Sequence, residues 1–214
     1  MQIDIHTHVA SATIGNVVTL QAYEPIPAQL FTCGLHPWYL QNASNDFLML
    51  QKIAMQENCI AIGECGLDKL CTTDWQLQTD YFCKQIQLAN AIQKPLVIHC
   101  VRASSEVIAL LKKEKNTVRI IIHGFNQNAA ILAMYLQENF YISIGGAVVN
   151  SKSNAHALVN NIPTEKLLLE TDEDKNIQIA EVYAKVAQLK KISWQALENQ
   201  ITKNFNTIFT NNKL

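Results

Sequence analysis

Charge is scarce in this chain of 214 residues: 17 Lys and Arg stand against 18 Asp and Glu, a net charge of −1. That excludes a broad basic surface of the kind that holds polynucleotides by releasing counterions along many phosphates, so any nucleic-acid contact has to be local. Long hydrophobic runs are also missing, none reaching the about 20 residues of a membrane-spanning helix. A strand-like pattern begins at residue 2 with no basic leader or cleavage site, so no membrane contact and a cytoplasmic location are expected. The six cysteines, at 33, 59, 65, 71, 83 and 100, form no C-x-x-C pair. Several lie in or beside apolar runs, which fits free thiols in a reducing compartment better than a disulfide framework. There is no composition shift, internal repeat or low-complexity segment. Residues 1–214, 49% hydrophobic, are therefore expected to form a single domain with one large core.

What is present is a succession of apolar runs at residues 2–6, 16–20, 30–34, 60–64, 96–99, 119–123, 140–144 and 167–171. Several are nearly continuous Ile, Val and Leu, the pattern of strands covered by helices on both faces. Between the later runs lie segments of helical period. Ser44 can cap a helix burying Phe47, Leu50 and Ala54; Thr73 can cap one burying Trp75, Phe82, Ile86 and Ala89. A third follows Ser104 or Ser105 with Val107, Leu110 and Leu111, and a fourth carries Ile131, Met134 and Tyr135. Two more follow the eighth run, with Ile179, Val182, Val186 and Leu189, then Trp194, Leu197, Ile201, Phe205 and Ile208. Eight strands alternating with helices predict an α/β fold of TIM-type (β/α)8 barrel. Residues 7–15 and 21–29 are too short for crossover helices. The barrel is thus expected to be trimmed or distorted around the second strand, which is either irregular or part of a hairpin.

Metal-ligating residue types recur where these runs stop. His6 and His8 are two apart and so share a face of the first strand. Glu64, His99, His123 and Asp172 end or follow later runs, and a cation needs donors converging from several strands. A single histidine at a strand end is also a common hydrogen-bonded rim residue, the competing reading for His36. Two adjacent imidazoles in an apolar strand point more strongly to metal. Glu64 and Asp172 could instead pair with buried cations, but no Lys or Arg lies close in sequence on the inward positions of their strands.

The stretches His6-Thr7-His8, Leu35-His36-Pro37, Gly63-Glu64-Cys65-Gly66-Leu67-Asp68, His99, His123-Gly124-Phe125 and Glu170-Thr171-Asp172 resemble, in order, the motifs of the TatD family of metal-dependent hydrolases, within the amidohydrolase superfamily. The resemblance implies two divalent ions (Zn, Mn or Mg), one held by His6, His8 and Asp172 and the other by His99 and His123, with Glu64 bridging. Glu64 and Asp172 would be the catalytic carboxylates, Asp172 accepting a proton from the attacking water. His36 and Asp68 would orient ligands.

The expected activity is that of a deoxyribonuclease or exonuclease acting on nucleic-acid ends or oligonucleotides. Trp38 would either stack on a terminal base or pack beneath the rim. The chain departs from the family pattern in three places. Glu173 and Asp174 follow the aspartate in place of Ala-Pro, Asn126-Gln127 replaces Ser-Gly, and Arg102 stands one residue later than the expected phosphate clamp. The acidic pair favours an alternative small-molecule amide, ester or lactone hydrolase. A third reading is a binding scaffold that keeps its ligands for stability. No obligate protein partner is implied.

Overall fold

The computed structural model describes residues 2–8, 16–21 and 24–209. Its strands are β1 (Asp4–Thr7), β2 (Asn16–Gln21), β3 (Phe31–Gly34), β4 (Cys59–Asp68), β5 (Leu96–Val101), β6 (Ile120–Ile122), β7 (Tyr141–Ile144) and β8 (Leu167–Leu169). They are neighbours in that order. The helices are α1 (Ala43–Ile53), α2 (Trp75–Ile92), α3 (Ser104–Lys113), α4 (Ala129–Gln137), α5 (Asn154–Leu158), α6 (Ile179–Lys190) and α7 (Trp194–Ile208). Parallel strands in sequential order alternating with helices make this a (β/α)8 barrel fold. β2 lies parallel to β1, with a register shift between Asp4 and Thr7. It is therefore the irregular strand and not a hairpin arm, which would run antiparallel. No helix among the described residues is long and apolar enough to cross a membrane. The chain divides into two compact units, residues 19–120 and residues 1–18 with 121–214.

In the unit of residues 19–120, every residue of β4 is buried. Glu64 and His99 do not end their strands as the sequence suggests. Pairing continues from Cys65 opposite Ile98 to Asp68 opposite Val101, which sets both residues inside the sheet. Glycine makes this possible at position 66: its φ is +143°, and a Cβ there would run into the His99 carbonyl oxygen. α2 begins at the Asp74 cap, whose carboxylate accepts from Leu77 N–H at 2.9 Å, so Thr73 is not the cap. Phe82, Ile86 and Ala89 are buried as the period predicts, and so are two glutamines, Gln78 and Gln85. Gln78 accepts from Asp68 N–H at 2.9 Å and donates to Asp68 C=O at 3.2 Å. Gln85 does the same for Leu35, at 2.8 and 3.1 Å. One helix thereby clamps the backbone beside His36 and at the end of β4. α1 and α3 start after Asn42 and Ala103, neither making a side-chain cap bond. Ser44 is engaged instead with the Tyr81 hydroxyl at 2.9 Å.

In the other unit, β7 pairs with β6 and β8 in unshifted register. A parallel bridge between Thr7 and Asp172 joins β1 to the chain leaving β8. α6 packs Val182, Tyr183, Val186 and Ala187 inward. The Tyr183 hydroxyl accepts from Ile3 N–H at 3.0 Å and donates to Ile3 C=O at 3.1 Å, satisfying backbone ahead of β1. α7 is capped by Ser193 and buries Leu197, Ile201, Phe205 and Ile208 at the expected spacing. α4 is rotated relative to expectation: Leu132 and Tyr135 are buried, whereas Ile131 and Met134 are only half-buried.

Candidate metal centre

His6, His8 and Asp172 meet where β1 and β8 end. His6 is fully buried and His8 exposed, yet both Nε2 atoms stand 3.5 Å from the same oxygen, Asp172 Oδ1. Two donors each about 2.1 Å from one tetrahedral ion are about 3.4 Å apart, so this spacing suits a shared cation better than a direct hydrogen bond. The aspartate is held there by backbone. Its N–H donates to His6 C=O at 2.9 Å, its carbonyl accepts from His8 N–H at 3.2 Å, and its φ is +57°. A left-handed aspartate is a modest local strain of the kind that collects at functional sites. The His123 ring stacks on His6 with centroids 4.2 Å apart, and His6, His123 and Asp172 offer ligand atoms within 4.8 Å of one another. A buried carboxylate, Asp4, lies behind the group. Asp4 accepts from Thr171 Oγ1 at 2.6 Å and Thr171 N–H at 3.1 Å. Burial nevertheless pushes its pKa up to about 6, with a smaller contribution from the charge of Glu170.

In the unit of residues 19–120, one oxygen of Glu64 faces two imidazoles: His36 Nε2 at 3.0 Å and His99 Nδ1 at 2.9 Å. The two rings have different roles. His36 Nδ1 accepts from Trp38 N–H at 3.1 Å, so the ring proton sits on Nε2 and is donated to Glu64. His99 has a carboxylate at both nitrogens, since its Nε2 is 3.1 Å from Asp68 Oδ2. A neutral ring carries one proton and can satisfy one of them. The other nitrogen then faces a carboxylate oxygen with a lone pair, an arrangement that calls for a cation, proton or metal, between them. Asp68 also accepts from Trp38 Nε1 at 2.7 Å and Leu70 N–H at 2.7 Å. Burial opposes its ionisation, but these bonds outweigh burial and hold its carboxyl below the usual carboxylate range.

The sequence profile described as TatD related DNase matches residues 4–210. The chain belongs to this family. An uncharacterized metal-dependent hydrolase of Buchnera aphidicola (subspecies Baizongia pistaciae) is 31% identical over 195 residues, covering 84% of this chain and 74% of its own. A protein of Erwinia tasmaniensis named 3'-5' ssDNA/RNA exonuclease TatD is 31% identical over 146 residues, 66% of this chain and 56% of its own. The crystal structure of a TatD homologue from Escherichia coli K12 superposes with a TM-score of 0.80 at 21% identity, covering 91% of this chain and 86% of the other. This TatD-family chain is accordingly a metal-dependent hydrolase, and its His, Glu and Asp groupings are compatible with metal binding.

The remaining predicted positions are less tightly engaged. Trp38 is 45% exposed, its indole fixed at the nitrogen by Asp68 and edge-on to His36 at 5.1 Å. Arg102 is exposed in a left-handed conformation, φ +54°. Glu173 is exposed, and Asp174 Oδ1 accepts from Asn176 N–H at 2.9 Å within its own turn. Asn126 Oδ1 accepts from Ala155 N–H at 2.9 Å, capping contacts around α5. Two buried carboxylates of this TatD chain have no role in the sequence reading: Asp4, which it does not name, and Glu170, which it names only as part of the Glu170-Thr171-Asp172 motif. Each alternates with a ligand-type residue, Asp4 with His6 and Glu170 with Asp172, and that alternation is the signal that could have marked them.

Proposed function

We propose that this chain is a divalent-metal-dependent phosphodiesterase of deoxyribonuclease type that removes nucleotides from strand ends. The observation that carries the reading is the convergence of His6 Nε2 and His8 Nε2 on Asp172 Oδ1 at 3.5 Å. Departing from the set that the resemblance implies, His123 is taken with the first ion because its ring stacks on His6: His6, His8, Asp172 and His123 would hold one ion, and Glu64 with His99 the other. Zinc, manganese and magnesium all suit such donors. Bound divalent metal supplies Lewis-acid activation of water and neutralises charge on phosphoryl oxygens. Asp172 takes the proton of the attacking water, its half-exposed carboxylate being the acceptor that both water and solvent can reach. His36 fixes the lone-pair directions of Glu64, and Asp68 fixes the ring of His99. The exposed face of Trp38 receives a terminal base by stacking, the local contact that a chain with net charge −1 requires. The name of the Erwinia tasmaniensis relative supports the choice of nucleic acid.

The exposed acidic Glu173 favours a second reading, hydrolysis of an uncharged small-molecule amide, ester or lactone. Assays of phosphodiester, amide, ester and lactone panels, each with Mg, Mn and Zn, separate the two. Turnover of single-stranded oligonucleotides from an end supports the first, and turnover confined to the small molecules replaces it. Asp172→Asn is expected to lower the rate by about 100-fold or more. An unchanged rate would identify the barrel as a scaffold whose hydrolysis lies elsewhere.

A further inference from the structure

Glu170 is fully buried, 0% exposed, at the exit of β8. Its Oε1 accepts from Gly124 N–H at 2.5 Å and stands 3.5 Å from His123 Nδ1, an electrostatic contact too long for a full hydrogen bond. Its Oε2 has no hydrogen-bond partner, and among the described residues no Lys or Arg pairs with it. Space for the side chain is made by glycine: a Cβ at Gly145 would lie 3.4 Å from Glu170 Cγ, and one at Gly124 3.7 Å from Oε1. Register explains the meeting. Ile122 pairs with Ile142 and Ser143 with Leu168, so His123, Ser143 and Glu170 project from one face of three consecutive strands. The Ser143 hydroxyl, also buried, has no hydrogen-bond partner either. Burying a carboxylate with so few hydrogen bonds is unfavourable, and a neighbouring cation or imidazole N–H offsets that.

We propose that Glu170 is the positioning residue of His123: a carboxylate facing Nδ1 favours the tautomer with the ring proton on that nitrogen, which presents the Nε2 lone pair to a metal ion. A carboxylate behind a histidine ligand is the general device for fixing the ring's tautomer and raising its basicity. Gly124 N–H anchors the carboxylate, so ring and carboxylate are set by adjacent residues of one turn. The role rests on the metal-dependent reading above, but it can be tested apart from it.

In metal-free protein at about pH 8, where an ordinary imidazole is neutral, nitrogen NMR of the His123 ring, assigned by its loss in His123→Gln, should show the proton on Nδ1. In Glu170→Leu, which removes the acceptor, that preference should be lost; in Glu170→Gln, whose neutral amide oxygen can keep the Gly124 bond and still faces Nδ1, it should weaken. The Glu170→Gln protein should bind zinc or manganese about 10–100-fold more weakly in competition with a chelator. Its metal-free melting temperature should stay equal or rise, because a buried charge facing Asp4 is removed. A His123 proton on Nε2 in the unsubstituted protein overturns the proposal. So does a Glu170→Gln protein with unchanged metal affinity and a lowered melting temperature, the signature of a structural residue. If the unsubstituted protein takes up no metal, the proposed function fails while the tautomer measurement still decides the role of Glu170.

Discussion

At the scale of single residues, His36 and His99 share a carboxylate oxygen but not a role. The backbone N–H of Trp38 occupies His36 Nδ1, which leaves His36 a donor to Glu64; His99 stands between Glu64 and Asp68. His36→Ala is expected to lower activity or metal affinity about 10–100-fold without removing a ligand, which metal analysis of the purified variant checks. Trp38 combines two functions that substitutions can part. Trp38→Phe keeps a ring face and loses the bond to Asp68, whereas Trp38→Ala loses both. If the ring stacks on a terminal base, Trp38→Ala raises KM for oligonucleotides by about tenfold or more, and Trp38→Phe raises it much less. Equal KM values for the two variants would assign the whole effect to the Asp68 bond. His6, His8 and Asp172 are legible in the sequence because residue type and position coincide at strand ends. The donor role of His36 is not, since it follows from which nitrogen meets a backbone amide.

At the scale of elements, α2 is more than a cover for β4. Its buried Phe82, Ile86 and Ala89 are readable from the apolar period, but Gln78 and Gln85 read as solvent-facing in any hydrophobic pattern. They turn inward because each amide supplies a donor and an acceptor to backbone just past β3, at Leu35, and at the end of β4, at Asp68. Gln78→Leu leaves the Asp68 N–H without its acceptor, while Cys71 Sγ still donates to the Asp68 C=O, and is expected to cost about 2 kcal/mol, lowering the melting temperature by about 5 °C. Thermal unfolding followed by circular dichroism checks this; an unchanged midpoint would mean that water replaces the amide. β4 differs from expectation for a related reason. Its apolar run ends at Gly63, yet pairing with β5 continues to Asp68, since Gly66 admits a close approach that side chains would block.

At the scale of the whole molecule, binding of metal to the folded state alone stabilises the fold by mass action. Removal by chelator is therefore expected to lower the melting temperature by about 5–10 °C relative to protein holding metal at a hundredfold excess over Kd. Restoration by manganese or zinc completes the test, and a midpoint indifferent to chelator and metal contradicts the assignment. The near-zero net charge leads to a further expectation: oligonucleotide KM should vary weakly with salt, with a log-log slope of magnitude below about 3, corresponding to few phosphate contacts. The amino-acid sequence alone determined the alternation of eight strands with helices, the positions of the metal-type donors and the family, because each is written in local period, residue type and motif order. Tertiary structure alone decided that His123 stacks on His6, that Glu170 stands behind His123 and that His36 donates to Glu64. Those contacts join residues distant in sequence, and they depend on strand register, where a slip of one residue turns every side chain to the opposite face.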